Sequence, residues 1–315
     1  MRAIVYKEYG GPEKLESIDV PKPSPGPGQV LIRVVASSVN PVDWKMASGK
    51  YRFIMPVKRP AIPGFDVAGE VAEVGPGVSG FAVGDRVHSR INGGTGAASA
   101  EYALSGIDST AKMPDGMDFG DAAGLPLAGM TALQGLRDCA KMPVTGATQR
   151  ILVIGASGGV GHLAVQIARA AGAHVVGVCS GRNVDLVTKL GAHEVVDYTK
   201  PDAYRGHAPF DIVLDCVGGS PSEHLPRVTL NGHYASCLPS PSVFFRAALN
   251  VVSGKKVTPV MLKATAEDLA FLDRLHAEGK LRLVVDSRFP LADLRGAWER
   301  SIGGRAVGKI LVDVA

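Results

Sequence analysis

A glycine-rich turn in the middle of the chain has the residue types that phosphate binding requires. Its sequence is Gly155-Ala156-Ser157-Gly158-Gly159-Val160-Gly161. Gly155 and Gly158 permit a sharp turn that brings backbone N–H groups onto a pyrophosphate, and the missing side chain of Gly161 lets a helix pack against the preceding strand. The spacing departs from Gly-x-Gly-x-x-Gly, and a glycine-rich turn without a ligand is the alternative. The apolar strand before the turn and the amphipathic helix after it favour a dinucleotide site.

The residues about 20 positions beyond this turn indicate which dinucleotide would bind. An NAD site has an Asp or Glu there that accepts the ribose 2′-hydroxyl, whereas this chain has Cys179-Ser180-Gly181-Arg182-Asn183. A guanidinium pairs bidentately with a phosphate. We therefore predict that Arg182, helped by Ser180, binds an adenosine 2′-phosphate and that the cofactor is NADPH. The alternative is that Arg182 is a surface residue at the start of a helix.

The elements around these residues alternate between strand and helix. The apolar run 150–154 predicts a buried parallel strand, and helical spacing over about 160–171 follows it. The order predicts an α/β fold with a doubly wound parallel sheet. The further predicted elements are a strand at 174–179, a helix at 184–190, and strands at 194–196 and 210–216.

The flanking segments have a different composition. Residues 1 to about 120 contain short β-branched strands broken by proline- and glycine-rich turns, which favours a small irregular β-barrel. The tail alternates again, with a strand at 281–286, a helix at 291–301 and a strand at 309–314. We predict a first domain over 1–121, a dinucleotide-binding domain over 122–265, and a return segment over 266–315 that completes the first domain.

The bulk composition excludes several classes of protein. The chain has 315 residues, enough for two domains, and its net charge of +4 comes from dispersed basic residues, which argues against a nucleic-acid partner. The four cysteines form no Cys-x-x-Cys pair, so neither a structural zinc site nor a disulfide framework is indicated. With no signal-peptide pattern and no apolar run long enough to span a bilayer, we expect a cytoplasmic protein without an integral membrane segment.

Three motifs in the first domain resemble the medium-chain dehydrogenase/reductase superfamily. They are Asn-Pro-Val-Asp-Trp-Lys at 40–45, Pro-Gly-Phe-Asp-Val-Ala-Gly-Glu-Val at 63–71 and Gly-Asp-Arg-Val at 84–87. With the turn at 156–161 they are similar to the zinc-free quinone oxidoreductase branch. Within it the chain looks most like the chloroplast-envelope quinone oxidoreductase homologues and the enone or alkenal reductases. The likeness extends over the whole chain.

This resemblance implies a GroES-like β-barrel domain beside a Rossmann domain, with the active site in the cleft between them. It implies NADPH-dependent reduction of quinones or of the C=C bond of α,β-unsaturated carbonyl compounds, and a homodimer. The cofactor contacts that it implies are Ser157, Gly158, Gly159 and Val160 at the pyrophosphate; Ser180, Arg182 and Tyr198 at the 2′-phosphate; Cys216, Val217, Gly218 and Leu238 beside the nicotinamide; and Lys45, Thr131 and Asn183.

The same resemblance places Asn40, Asp43 and Lys45 along the cleft. Hydride addition to an enone or a quinone develops negative charge on a carbonyl oxygen, which needs a hydrogen-bond donor. We predict Lys45 as that donor and Tyr51 as a second candidate; a contact to the cofactor ribose, or a mere surface charge, is the alternative for Lys45. Residues at 51–55, 91 and 244–245, which are apolar or aromatic apart from Arg52, predict a small hydrophobic carbonyl or quinone substrate.

Zinc-dependent members of the superfamily carry a Cys where Val39-Asn40 stands, a His-Glu pair where Phe65-Asp66 stands, and a cluster of four cysteines. The chain lacks all three features, and without a Lewis acid alcohol oxidation is disfavoured. Two other interpretations remain open. One is an NADPH-binding sensor or interaction protein with little turnover, and the other is a zinc alcohol dehydrogenase.

Overall fold

The computed structural model describes residues 1–94, 96–207, 209–251 and 254–315. The strands within these ranges are β1 Arg2–Tyr6, β2 Leu15–Asp19, β3 Gln29–Val39, β4 Asp66–Val74, β5 Arg86–Arg90, β6 Tyr102–Gly106, β7 Thr110–Lys112, β8 Arg150–Ile154, β9 His174–Cys179, β10 Glu194–Asp197, β11 Phe210–Asp215, β12 Val228–Ser236, β13 Lys256–Pro259, β14 Val285–Pro290 and β15 Lys309–Asp313. The α-helices are α1 Pro41–Ala47, α2 Phe119–Gly124, α3 Pro126–Gln134, α4 Gly161–Ala171, α5 Val184–Lys189, α6 Pro221–His224, α7 Pro241–Ala248, α8 Ala266–Ala277 and α9 Leu294–Ile302.

The chain divides into two compact units. The first contains residues 1–128, 264–274 and 283–315, and the second contains residues 129–263 and 275–282. The sequence-based boundaries lie at 121 and 265.

The first unit is built on a mixed sheet of seven strands. Its order is β14-β15-β3-β4-β5-β7, with β6 also paired to β3. Strand β15 runs antiparallel to β3, so the end of the chain completes the sheet that the N-terminal residues begin. Helix α9 packs on this sheet through the buried side chains of Leu294, Ala297 and Trp298. Helical spacing of three and four residues puts these side chains on one face.

The second unit is built on a parallel sheet of six strands. Its order is β10-β9-β8-β11-β12-β13, and each neighbouring pair is parallel. The residues of β8 are almost entirely buried, as expected for a central strand covered on both faces. Helix α4 follows β8 and ends at Gly172, whose φ of 103° is a left-handed conformation that glycine adopts without strain. The predicted class, a Rossmann sheet with a separate GroES-like β domain, is confirmed.

Two local features differ from the sequence-based prediction. The strand expected at 281–286 is instead β14, Val285–Pro290. It lies at the edge of its sheet and forms through backbone pairing with β15, so none of its residues is fully buried and they carry little apolar pattern. Helix α1 was not predicted; it begins at Pro41, and proline is favoured at the first helical position.

Candidate functional site

The glycine turn lies between β8 and α4, as the sequence predicts. Gly155 has a φ of 76°, in the left-handed region that favours glycine. A Cβ atom on Gly161 would collide with the backbone of Gly155 and Ala156. The start of α4 therefore lies directly against the turn, where its N-terminal potential favours an anion. The turn fits a pyrophosphate because its backbone and the backbone at the start of α4 lie close together, with no side chain at Gly155 or Gly161 to block a ligand.

The end of β9 is joined to this turn by one side chain. The buried amide of Asn183 donates hydrogen bonds to Oγ of Ser157 (2.9 Å) and to Oγ of Ser180 (3.3 Å). Arg182 is exposed beside it. Tyr198 is 61% exposed, and its backbone N–H donates to the carbonyl of Cys179 at 3.1 Å. The structure thus brings the predicted pyrophosphate and 2′-phosphate residues of the second unit to one edge of its sheet.

A carboxylate that sequence reasoning did not consider lies beside this corner. Asp197 ends β10, opposite Cys179 in β9. Its Oδ2 lies 2.6 Å from the position that a Cβ on Gly181 would occupy. Hydrogen bonds from the hydroxyl and N–H of Thr199 hold the pKa of Asp197 below its usual value. This negative charge lies beside the residues predicted to bind the 2′-phosphate.

The loop after β11 is organised by Asp215, which is fully buried. Its Oδ1 accepts hydrogen bonds from the N–H groups of Val217 (2.8 Å) and Gly218 (2.9 Å). Its Oδ2 accepts from the N–H of Gly219 (3.0 Å) and from the hydroxyl of Tyr234 (2.6 Å). Burial and this carboxylate raise the pKa of Tyr234, which therefore remains a donor. Asp215 was missed, although an aspartate at the end of an apolar strand could have indicated it.

The predicted nicotinamide residues lie on this loop and on the next one. The side chain of Val217 is 61% exposed and lies where a Cβ on Gly155 would point, so the loop touches the glycine turn. Gly218 has a φ of 91°, and a Cβ there would meet the side chain of Leu238. The thiol sulfurs of Cys216 and Cys237 are 3.9 Å apart.

The first unit holds a second buried carboxylate, that of Asp66. It accepts hydrogen bonds from Oγ of Ser38 (2.8 Å), Nδ2 of Asn40 (2.7 Å) and the N–H of Leu127 (2.8 Å). Nζ of Lys309 lies 3.5 Å from the same carboxylate and donates to Oδ1 of Asn40 at 2.6 Å. Both ends of the Asn40 amide are therefore hydrogen-bonded within the protein. Asp66 and Lys309 were missed as site residues, although Asp66 stands in the motif at 63–71 that carries the family resemblance.

Asp43 adjoins this network through the backbone of Asn40. Its Oδ2 accepts the Asn40 N–H at 2.7 Å, while its Oδ1 is buried and has no partner among the described residues. Burial raises the pKa of Asp43 to about 7; the Asn40 hydrogen bond opposes this rise, and Asp66 adds to it. A carboxyl group with this pKa can hold or release a proton near neutral pH.

Lys45 and Tyr51 lie on and just after α1. Nζ of Lys45 is 5.2 Å from the centre of the Trp44 ring. Burial and the charge of Lys50 lower the pKa of Lys45, and burial raises that of Tyr51. Lys45 is not among the hydrogen-bonded partners of Asp66. The structure therefore brings Asn40 and Asp43 together through a hydrogen bond, with Lys45 two residues further along α1.

The remaining predicted residues are divided between the surface and the core. Phe53 and Ile54 are more than 80% exposed, and Phe244 and Phe245 are at least half exposed. Ile91 is buried in the core of the first unit. Thr131 is buried on α3.

The described residues offer no metal cluster. Among them no group of three or more His, Cys, Asp or Glu side chains could hold a metal ion. Buried His88 contacts the carbonyl oxygen of Ala122 and the carboxylate of Asp273 (both 3.0 Å). In the described ranges, none of the helices combines the length and the apolar composition that crossing a membrane requires.

Comparison with known proteins agrees with this arrangement. The sequence model of an alcohol dehydrogenase GroES-like domain matches residues 26–132, and that of a zinc-binding dehydrogenase matches residues 190–312. The chain is 42% identical to the chloroplast envelope quinone oxidoreductase homolog of Arabidopsis thaliana, over 99% of this chain and 98% of that protein. It is 32% identical to the chloroplastic NADPH-dependent alkenal/one oxidoreductase of the same plant, over 99% and 79% of the two chains.

A solved quinone oxidoreductase from Coxiella burnetii superposes with a TM-score of 0.89 at 30% identity, covering 100% of this chain and 99% of that one. The matches to family models, the sequence identities to relatives and the shared fold agree with one another along the length of the chain. The chain belongs to the quinone oxidoreductase branch of the medium-chain dehydrogenase/reductase superfamily.

Proposed function

We propose that this protein transfers hydride from NADPH to a quinone or to the C=C bond of an α,β-unsaturated carbonyl compound, without a catalytic metal. The observation that carries the proposal is the glycine turn that Asn183 joins to Ser180, with Arg182 exposed beside it. The names of the relatives support both the cofactor and the two acceptor classes.

The second unit would bind the cofactor through residues already held in place. The turn from Ser157 to Val160 would receive the pyrophosphate, and Ser180, Arg182 and Tyr198 the 2′-phosphate. Asp215 fixes the N–H groups of the loop from Val217 to Gly219, which would lie beside the nicotinamide. Bound NADPH supplies the hydride.

The first unit would supply the groups that respond to negative charge on the acceptor. Lys45 is half-buried and its pKa is lowered, so it can donate a hydrogen bond to the developing oxyanion and give up its proton more readily than a free lysine. Asp43 holds a proton near neutral pH. Asn40 is hydrogen-bonded at both ends of its amide and would act by positioning Asp43 and the start of α1.

The cofactor assignment is tested by KM values for NADPH and NADH in wild type and Arg182→Ala. Loss of charge-assisted bonds to a phosphate should raise the KM for NADPH about 10- to 100-fold and leave that for NADH unchanged. Lys189→Ala, an exposed cation on α5, is the matched control. Equal cofactor preference in wild type and Arg182→Ala would reject the 2′-phosphate role of Arg182.

The activity is tested by stopped-flow oxidation of bound NADPH with 2-alkenals, enones and ortho- and para-quinones. Turnover should survive a metal chelator, and metal analysis should find no stoichiometric zinc. Lys45→Met should lower turnover with every acceptor because the oxyanion loses its donor. No oxidation across the panel would favour the NADPH-binding sensor, and loss of activity with the chelator would favour a metal enzyme.

A further inference from the structure

Arg90 is a largely buried cation beside the Asp66 network, and none of the roles above uses it. It ends β5 and is paired across the sheet with Asp66 in β4. Its guanidinium lies over the ring of Phe65, 4.7 Å from the ring centre. Phe65 is itself only 3% exposed. The cation is thus held by an aromatic face and not by a carboxylate.

The hydrogen bonds of this guanidinium are incomplete. Among the described residues only Asn92 accepts one, from Nη1 to Oδ1 at 2.9 Å. Nε is buried and has no partner in the same part of the chain. Nε–H and one Nη2–H point the same way, along the edge of the guanidinium that matches the two oxygens of a carboxylate. Buried polar groups are rarely left without a partner, so the unpartnered Nε–H of Arg90 indicates a ligand.

The surrounding charges favour a singly charged anion. Asp66 already receives hydrogen bonds from three groups and the ammonium of Lys309. Among the described residues Arg90 has no ion-pair partner within 4.0 Å; its guanidinium contacts the amide of Asn92 and the ring of Phe65. Asp43 and Asp66 nevertheless act on Arg90 electrostatically, and these carboxyl groups would repel a doubly charged phosphate.

We propose that the Nε–Nη2 edge of Arg90 binds a carboxylate on the acceptor. Arg90 thereby gives the enzyme a preference for α,β-unsaturated carbonyl compounds that carry one carboxylate. This inference rests on the proposed reductase function and narrows its substrate class. A neutral carbonyl oxygen could accept from the same edge, but it would bring no charge to pair directly with the guanidinium.

The test compares 6-oxohept-4-enoate with its methyl ester. Two methylene groups insulate the carboxyl group from the enone, so the two compounds differ in charge but not in the reactivity of the C=C bond. Wild type should favour the acid over the ester in kcat/KM about 10- to 100-fold, as a charge-assisted bidentate pair would give. Arg90→Met should abolish this preference by lowering kcat/KM for the acid only. Arg90→Lys keeps the charge but not the two-pronged edge, so it should retain part of the preference.

Arg86→Met is the matched control. Arg86 begins the same strand and its guanidinium lies 4.4 Å from the centre of the Phe119 ring, but its Nη2 donates to the carbonyl of Met117. Its loss should leave the ratio of acid to ester unchanged. Thermal unfolding of each variant verifies that the fold is retained.

Two outcomes would overturn the proposal while the reductase function stands. One is an equal fall for acid and ester in Arg90→Met, and the other is a wild type without preference for the acid. A binding measurement covers the case in which no acceptor is reduced, which would reject the reductase function itself. The saturated acid 6-oxoheptanoate should bind wild type more tightly than Arg90→Met in calorimetric titration, and equal binding would also overturn the role of Arg90.

Discussion

The two units bury a carboxylate in contrasting ways. Asp66 in the first unit and Asp215 in the second are both fully inaccessible to solvent. Asp66 has the ammonium of Lys309 beside it, together with two side-chain donors and one backbone N–H. Asp215 instead has three backbone N–H groups and a tyrosine hydroxyl. The first carboxylate relies on a buried cation, and the second on fixed dipoles.

This difference decides what each carboxylate can organise. The donors of Asp66 come from distant parts of the chain, at Ser38, Leu127 and Lys309, so the network ties the N-terminal sheet to the last strand. The backbone donors of Asp215 lie two to four residues after it, so it shapes one loop. An ion pair can join segments that are far apart in the sequence. Successive backbone N–H groups instead hold a local turn in the shape that positions a ligand.

The largest expected effect comes from removing the cation. Lys309→Met leaves Asp66 buried without its counter-charge, which should lower the free energy of unfolding by about 3–5 kcal/mol. Both tryptophans, Trp44 and Trp298, lie in the first unit, so their fluorescence during denaturation reports on that unit. The double variant Asp66→Asn/Lys309→Met should recover part of the loss, because a neutral pair carries no buried charge. A double variant less stable than Lys309→Met alone would show that the ion pair is not the cause.

A smaller effect is expected at the second carboxylate. Asp215→Asn keeps one oxygen acceptor but presents an NH₂ group to donors, and should lower stability by about 2–4 kcal/mol. Circular dichroism is the appropriate measurement, because the second unit contains no tryptophan. Tyr234→Phe removes one donor and leaves the three backbone bonds, so it should cost less. If Tyr234→Phe cost as much as Asp215→Asn, the backbone N–H groups would not be what stabilises this carboxylate.

The smallest expected effect is a pH dependence of stability that comes from Asp43, beside the Asp66 network of the first unit. The raised pKa of Asp43, about 7, means that the folded protein keeps a proton that the unfolded chain loses near pH 4. The contribution of Asp43 is therefore complete below about pH 4 and is lost as pH rises towards 7. Asp43→Asn should become more stable relative to wild type by about 2 kcal/mol between pH 5.5 and pH 8. Denaturation followed by tryptophan fluorescence at both pH values checks this, and parallel pH curves for the two proteins would contradict it.

The features predicted best from the sequence are those that depend on backbone conformation. The glycine turn could be placed between β8 and α4 because Gly155 and Gly161 meet a local steric requirement that no other residue meets. The parallel sheet followed from buried apolar runs such as β8. The roles assigned to Arg182 and Lys45 stay predictions until cofactor and acceptor kinetics are measured.

The sequence by itself determined the fold class, the family and the position of the dinucleotide turn, because periodicity, glycine sterics and motif spacing are local properties of the chain. Tertiary structure alone decided that Asp66 meets Lys309 and that Asn40 lies between them, since 243 positions separate the two charges. It also decided that Arg90 faces Phe65 with an open edge. The burial and pairing of residues from distant segments depend on how the strands assemble into sheets, and no local sequence pattern specifies that assembly.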